Sequence, residues 1–123
     1  MLRIVVGGLK KDITERSVKA EGGKHVQVTV TSDFEGAKKV KAGDADYYIG
    51  ACNSGGGAAL SVAIGILGYG NCSTVAKAGG KPKAEEIQKL VDQGKIAFGI
   101  AVESIEEAVP HIIRALLKKH GLV

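Results

Sequence analysis

The feature that most constrains the fold of this 123-residue chain is an alternation of β-rich runs and helical segments that repeats about five times. The runs that we predict as strands are residues 2–6, 25–31, 45–51, 71–76 and 96–102. Such alternation is typical of a parallel sheet with helices on both faces. Because crossovers are right-handed, we expect one αβα domain over residues 1–123, with an open sheet in the flavodoxin-like order 2-1-3-4-5. A four-stranded sheet is the alternative if residues 71–76 form only a loop.

Three sequence patterns mark where helices should begin. Residues 12–15, 32–35 and 104–107 each place Asp or Ser three positions before Glu, which is the pattern of a capping box. Pro82 suits the first turn of the fourth helix, where a missing N–H costs nothing. Pro110 falls inside the last helix, and we expect it to kink the helix or to delay its regular part.

The composition disfavours a nucleic-acid partner. The chain has 17 Lys and Arg against 13 Asp and Glu, and its net charge of +4 suits either nucleic acid or a small anion. However, it has no Trp, three Tyr and two Phe, and Tyr47 and Tyr48 lie in an apolar run that we interpret as a buried strand. Bases stack on exposed aromatic side chains beside basic groups, so we expect no nucleic-acid binding.

No segment of the sequence has the character of an export signal or a membrane anchor. Residues 1–7 form a strand-like run without a basic leader. The longest apolar stretch, residues 58–67, is shorter than the ~20 residues that span a bilayer. Cys52 and Cys72 are too few for a disulfide framework. The sequence therefore predicts a cytoplasmic protein without membrane insertion.

Candidate ligand-binding residues follow the first and third strands. Strand order would reverse between these strands, and ligands of open parallel sheets bind there, outside the carboxyl ends of the strands. The loop of residues 52–57 opens a helix, so its free N–H groups and the helix dipole can hold an anion. We predict an anion site formed by Gly7, Gly8, Lys10, Asn53, Ser54, Gly55, Gly56, Gly57 and Lys77. The alternative is that the glycines only allow close packing of the helix on the sheet.

Cys52 is the candidate catalytic residue, because a helix N-terminus lowers the pKa of a thiol and makes it a nucleophile or base. The alternative role is that of a small buried residue. We expect Cys72 to be structural and too far from Cys52 for a disulfide. Glu103 is a second acid–base candidate, with a solvated or capping role as its alternative. No metal site is predicted, since the histidines lack metal-ligand spacing: His25, His111 and His120.

The helix predicted over residues 58–67 has almost no polar face, since Ser61 is its only polar residue. A helix that is apolar all round must be buried. We therefore expect a homo-oligomer that forms through this helix. The alternative is that neighbouring helices of the same chain cover it.

The whole chain resembles the YhfU-like family of small bacterial proteins. The resemblance is densest in KVKAGDADYYIGACNSGGGAALSVAIGILGYG, residues 39–70, and resumes in KIAFGIAVESIEEAVP, residues 95–110. It runs from the first strand to the last helix. The family resemblance implies no particular activity.

A shorter stretch is similar to the ribose-5-phosphate isomerase B type of sugar-phosphate isomerases. Their pattern is close to A-x-G-x-A-D-x-x-I-x-x-C-G-T-G-x-G, in which the Cys abstracts a proton and the glycine loop steadies the enediolate. Cys52, Ser54, Gly55 and Gly57 match this pattern, whereas Asn53 replaces the first glycine. The early Asp-His of that family is also absent, since Gly and Leu stand at residues 8–9.

These observations lead to two hypotheses of function. The first is the binding, with or without turnover, of a small anionic, phosphorylated metabolite at the loop of residues 52–57, without a cofactor. The second is a non-catalytic subunit that docks on a transporter or a metabolic enzyme, with the loop serving only for packing. A phosphate bound on the loop would favour the first hypothesis, and a closed, empty crevice would favour the second.

Overall fold

The structure, a computed structural model, describes residues 1–55 and 57–123, with Ala58 and Ala59 described by their backbone alone. Its strands and helices alternate along the chain, as the apolar pattern predicts. The strands are β1 (Leu2–Gly8), β2 (Val26–Val30), β3 (Tyr47–Cys52), β4 (Cys72–Ala76) and β5 (Ala97–Ala101). The helices are α1 (Lys11–Gly22), α2 (Asp33–Lys41), α3 (Ala58–Leu67), α4 (Ala84–Asp92) and α5 (Ile105–Lys119).

The five strands form one parallel sheet in the order β2-β1-β3-β5-β4. This confirms the α/β fold class and the five strands, and it excludes the four-stranded alternative. The predicted order 2-1-3-4-5 is wrong at its last two positions, because β5 lies inside the sheet and β4 at its edge. The reason is composition: β5 reads AFGIA and is buried throughout, whereas β4 carries Ser73 and Thr74 and is partly exposed. Inner strands of a parallel sheet are covered on both faces and need apolar residues.

Helices cover both faces of the sheet and define two hydrophobic clusters. On one face, α1 and α4 pack beside α5, and the larger cluster joins Ile49, Phe98 and Ile112. On the other face α2 packs against α3, and the smaller cluster includes Tyr48 and Leu60. Within the described part of the chain, no helix is long and apolar enough to cross a membrane.

The three predicted capping patterns have different outcomes. The Ser32 Oγ accepts a hydrogen bond from the Glu35 N–H at 3.1 Å, which confirms the cap of α2. The capping box at residues 12–15 is wrong. The chain turns through Lys10 in the left-handed region (φ 50°), so α1 begins at Lys11 and Asp12 already lies in its first turn. Ser104 precedes α5 without a side-chain cap, and α5 continues through Pro110.

Candidate functional site

The candidate site is a crevice at the carboxyl edge of the sheet, between the ends of β1 and β3. Strand order reverses there, because α1 leaves β1 on one face of the sheet and α3 leaves β3 on the other. The crevice has a volume of about 500 Å³, within the range of small-molecule pockets. Its β1–β2 side consists of Gly8, Leu9, Lys11, Ser32 and Asp33, and its β3 side consists of Ala51, Cys52, Asn53, Ser54 and Gly57.

Most of the predicted site residues lie at this crevice. Gly8, Cys52, Asn53, Ser54 and Gly57 line it directly. Gly7 and Gly55 are buried next to it, Gly7 at the end of β1 and Gly55 in the loop after β3. Gly56, also predicted as a ligand-binding residue, lies outside the described residues.

The two predicted lysines lie at the predicted edge of the sheet but outside the crevice lining. Lys10 and Lys77 are exposed at the correct edge of the sheet, but neither is among the described residues that line the crevice. Lys10 occupies the left-handed turn before α1, and the next residue, Lys11, faces the crevice instead. The Lys11 Nζ donates to the backbone carbonyl of Thr31 at 2.8 Å, so this cation ties the end of β2 to the start of α1.

The thiol of Cys52 lies at the end of β3 under the start of α3. The Gly57 N–H donates to its Sγ at 3.3 Å, and the Ser54 Oγ lies 3.8 Å from it. Burial by itself raises the pKa of Cys52, but the hydrogen bonds from Gly57, Ser54 and Gly55 outweigh burial, and the net pKa is lower than that of a free thiol. This arrangement favours a thiolate able to act as a nucleophile or a base.

Backbone geometry explains two of the glycines at this site. Gly8 has φ 79°, and a Cβ there would clash with the Ala51 carbonyl on β3. Gly55 has φ 87°, and a Cβ there would clash with the Ala76 carbonyl of β4. Thr74 Oγ1 also donates to the Gly55 carbonyl at 3.2 Å. Gly55, in the loop after β3, is therefore held against β4, which organises the described part of this loop before any ligand arrives.

The structure adds a pair of residues that sequence reasoning missed. The hydroxyl of Tyr48, a fully buried side chain, donates to Asp33 Oδ1 at 2.7 Å. Burial, together with this hydrogen bond, raises the pKa of Tyr48 far above its usual value, so the phenol remains a donor. A spacing rule could not pair these residues, because they belong to different elements. The available signal was Asp33 in the first turn of α2, directly after the end of β2.

The remaining candidates have structural partners. Glu103 is exposed and accepts a hydrogen bond from the Gly79 N–H at 2.8 Å, so it fastens the loop after β4 rather than capping a helix. Cys72 begins β4 at the opposite edge, where burial raises its pKa and its Sγ donates to the Gly68 carbonyl. Both cysteines are free thiols. His120 pairs with the Tyr47 hydroxyl, and the described residues contain no cluster of three possible metal ligands.

Comparison with solved structures shows which known proteins have the same fold. Ribose-5-phosphate isomerase B from Giardia lamblia aligns with a TM-score of 0.71 at 14% identity, over 95% of this chain and 94% of that chain. The type B ribose 5-phosphate isomerase of Trypanosoma brucei aligns with a TM-score of 0.67 at 15% identity, over 96% of this chain and 86% of that chain. The resemblance to this type of isomerase therefore extends beyond one loop to the whole fold.

Sequence comparison identifies much nearer relatives. The protein named "Uncharacterized protein YhfU" from Escherichia coli K12 is 46% identical over 116 residues, which cover 94% of this chain and 99% of the relative. The YhfU protein of Shigella flexneri matches to the same extent. These matches confirm the predicted resemblance to YhfU-like proteins. The family described as "Protein of unknown function DUF2620" matches residues 2–116, and the chain belongs to this family.

Proposed function

We propose that this protein binds a small anionic, phosphorylated metabolite in the crevice between β1 and β3, with the anion on the loop of residues 52–57. The observation that carries the proposal is the loop itself. It follows an inner strand, opens a helix at the reversal of strand order, and is held by β4 on its far side. The N–H groups of the first turn of α3 and the positive end of its dipole favour an anion there. The names of the two isomerases with this fold support a sugar-phosphate-like ligand.

Turnover of the ligand would use Cys52 as its base or nucleophile. Its thiol borders the crevice, and the same loop that we assign to the anion stabilises the thiolate. A carbon acid held above Sγ would transfer a proton to the thiolate, and the N–H groups of the loop would stabilise the developing oxyanion. The free state of both thiols suits a reducing compartment, so we place the protein in the cytoplasm.

Calorimetric titration of inorganic phosphate and a panel of phosphorylated metabolites tests the proposal. In Gly57→Ala the new Cβ would lie 2.9 Å from the Ser54 Oγ and 3.5 Å from the Cys52 Sγ, so it intrudes on the anion site. We expect affinity to fall about tenfold or more, the value of one hydrogen bond to a charged group. Gly70→Ala is the control, since a Cβ there meets nothing within 4 Å. If no compound of the panel binds, the proposal is wrong, and the docking-subunit alternative gains support.

The homo-oligomer belongs to the same proposal, with α3 as the contact. Val62, Ile64, Ile66 and Leu67 are only half-buried within the chain, although the last three pack against the smaller cluster. α2 covers one side of α3, and Ser61 and Gly65 are exposed on another. A second copy that covers this side would bury apolar area that the single chain leaves in contact with water.

A further inference from the structure

A carboxylate lines the crevice in which we place an anion. Asp33 lies half-buried on the β1–β2 side. Among the residues that the structure describes, no cationic side chain forms a salt bridge with it. Lys11, the cation on the same side, is engaged with the Thr31 carbonyl. The negative charge of Asp33 is therefore open to a positive group of the ligand.

Buried Tyr48 holds this carboxylate in position. Its hydroxyl engages Oδ1, whereas Oδ2 accepts no hydrogen bond from any residue in the described ranges. Three glycines leave room for the phenol: a Cβ at Gly36 or Gly50 would clash with the Tyr48 side chain, and one at Gly7 would lie 2.9 Å from Asp33 Oδ1 and 3.0 Å from the Tyr48 hydroxyl. Glycine at these three positions therefore leaves the space that the Tyr48 ring and hydroxyl occupy below the carboxylate.

The two sides of the crevice differ in charge. The β3 side presents the N–H groups and dipole of α3, which favour an anion. The β1–β2 side presents the Asp33 carboxylate, which repels an anion, together with Lys11, whose Nζ is turned to the Thr31 carbonyl. A ligand that is anionic throughout would meet this repulsion, whereas a ligand with an ammonium group at its other end would form a charge-assisted hydrogen bond. We propose that the ligand is a small zwitterion, with its anionic group on the loop of residues 52–57 and its ammonium group on Asp33. This inference rests on the proposed function and names the ligand class of the same site.

Three probes separate the two groups of such a ligand. Phosphoethanolamine carries a phosphate and an ammonium group. 2-Hydroxyethyl phosphate has a hydroxyl in place of the ammonium, and inorganic phosphate lacks the two-carbon arm and its terminal group. We expect calorimetry to show that phosphoethanolamine binds about ten- to hundredfold more tightly than 2-hydroxyethyl phosphate, the range of a hydrogen bond between charged groups.

Variants of Asp33 and Tyr48 test whether the Asp33 carboxylate causes this preference. Asp33→Asn keeps the size and removes the charge, so the ratio of the two affinities should fall close to one. Glu35→Gln is the matched control, because it removes a carboxylate that is exposed in the same turn of α2 and does not line the crevice, and it should leave the ratio unchanged. Tyr48→Phe keeps the charge but releases Oδ1, and it should lower the ratio in part.

The outcomes distinguish this inference from the proposed function. If the wild-type protein binds phosphoethanolamine and 2-hydroxyethyl phosphate equally well, or if Asp33→Asn keeps the preference, the proposal of a zwitterionic ligand is wrong. The proposal of an anion site is then unaffected. If none of the three probes binds, the anion site is wrong and the zwitterion with it. Should Asp33→Asn fail to fold, the wild-type ratio and Tyr48→Phe still decide.

Discussion

The two cysteines of this chain have opposite environments, although both are buried. Cys52 receives hydrogen bonds from its own loop, which lower its pKa in spite of burial, whereas burial dominates at Cys72 and raises its pKa. The thiolate is the reactive form. We therefore expect Cys52 to be alkylated by iodoacetamide at neutral pH several times faster than Cys72, as followed by mass spectrometry of peptides.

Ligand protection provides the second half of this prediction. An anion on the loop of residues 52–57 should slow alkylation of Cys52 and leave Cys72 unaffected, since Cys72 begins β4 at the other edge. Cys52→Ser keeps the size of the side chain and should retain anion binding while any turnover is lost. Equal and slow labelling of both thiols, with no effect of phosphate, would contradict a reactive Cys52.

At the scale of residues, the sequence predicted the groups that follow one another along the chain and missed those that meet only in space. Cys52, Asn53, Ser54 and Gly57 form one loop, and the strand before it and the helix after it sufficed to place them. The pairing of Asp33 with Tyr48 depends on how α2 crosses the sheet. Lys11 faces the crevice instead of Lys10 because of a single left-handed residue, which no periodicity predicts.

At the scale of elements, the close approach of β1 to β3 restricts which residue can stand at the end of β1. Gly8 and Gly43 both have φ near 80°, yet a Cβ at Gly8 would clash with the Ala51 carbonyl, whereas one at Gly43 would meet nothing within 4 Å. Gly43→Ala should therefore lower the free energy of unfolding by about 1 kcal/mol, the cost of the left-handed region. Gly8→Ala adds overpacking and should cost about 2 to 5 kcal/mol. Urea denaturation measures both, and equal losses would show that β1 and β3 can separate there.

The opposite ends of β1 and β3 are joined by an ion pair. Arg3 Nη2 lies 3.1 Å from Asp46 Oδ1, and the Arg3 N–H donates to Asp46 Oδ2 at 2.8 Å. The hydrogen bond from the Arg3 side chain is the main reason that the pKa of Asp46 lies below its usual value of 3.8. A carboxyl with a lowered pKa in the folded state stabilises the fold above its usual pKa, and this contribution is lost as pH falls through the lowered value.

Asp46→Asn should therefore destabilise the protein slightly at neutral pH, since the pair is largely exposed. The difference from the wild-type protein should shrink as the pH is lowered below 3.8, where the wild-type carboxyl itself becomes protonated. Thermal melts across this pH range provide the measurement. Asp44→Asn serves as the control, because Asp44 lies near Arg3 without a hydrogen bond to it, and it should show a smaller effect. A pH-independent difference would rule out the ion pair as the cause.

Most strands and helices could be predicted because the apolar runs that form them and the glycines that end them lie close together in the sequence. The order of β4 and β5 could not be read from connectivity, since right-handed crossovers allow either arrangement. The polarity of the strands carried the missing information: Ser73 and Thr74 mark β4 as an edge strand, and the fully apolar β5 requires two neighbours. A rule that places the most apolar strand sequences inside the sheet would have placed both strands correctly.

At the scale of the whole molecule, the proposed association through α3 is supported by the unequal coverage of the two faces of the sheet. Three helices cover one face, where α5 packs between α1 and α4. In the described part of the chain, α2 and α3 cover the other face. The apolar α3 lies on the side of β5 and β4, with half-buried Val62, Ile64 and Ile66. Its amino end also lies at the crevice in which we propose that an anion binds, so a second copy on α3 would lie close to this crevice.

Gly65 offers a way to test this interface without disturbing the fold. It is exposed on α3, its φ is not in the left-handed region, and a Cβ there would meet nothing within 4 Å. Gly65→Lys should therefore be tolerated in a single chain, and it should even favour the helix by about 0.7 kcal/mol, because lysine has the higher helix propensity. In an oligomer formed through α3, the same lysine would place a charge in an apolar contact. We expect light scattering at micromolar concentration to show an oligomer for the wild-type protein and a monomer for Gly65→Lys. Ala20→Lys, at an exposed position of α1, should leave the mass unchanged. A monomeric wild-type protein, or an oligomer that survives Gly65→Lys, would show that α3 is not the interface.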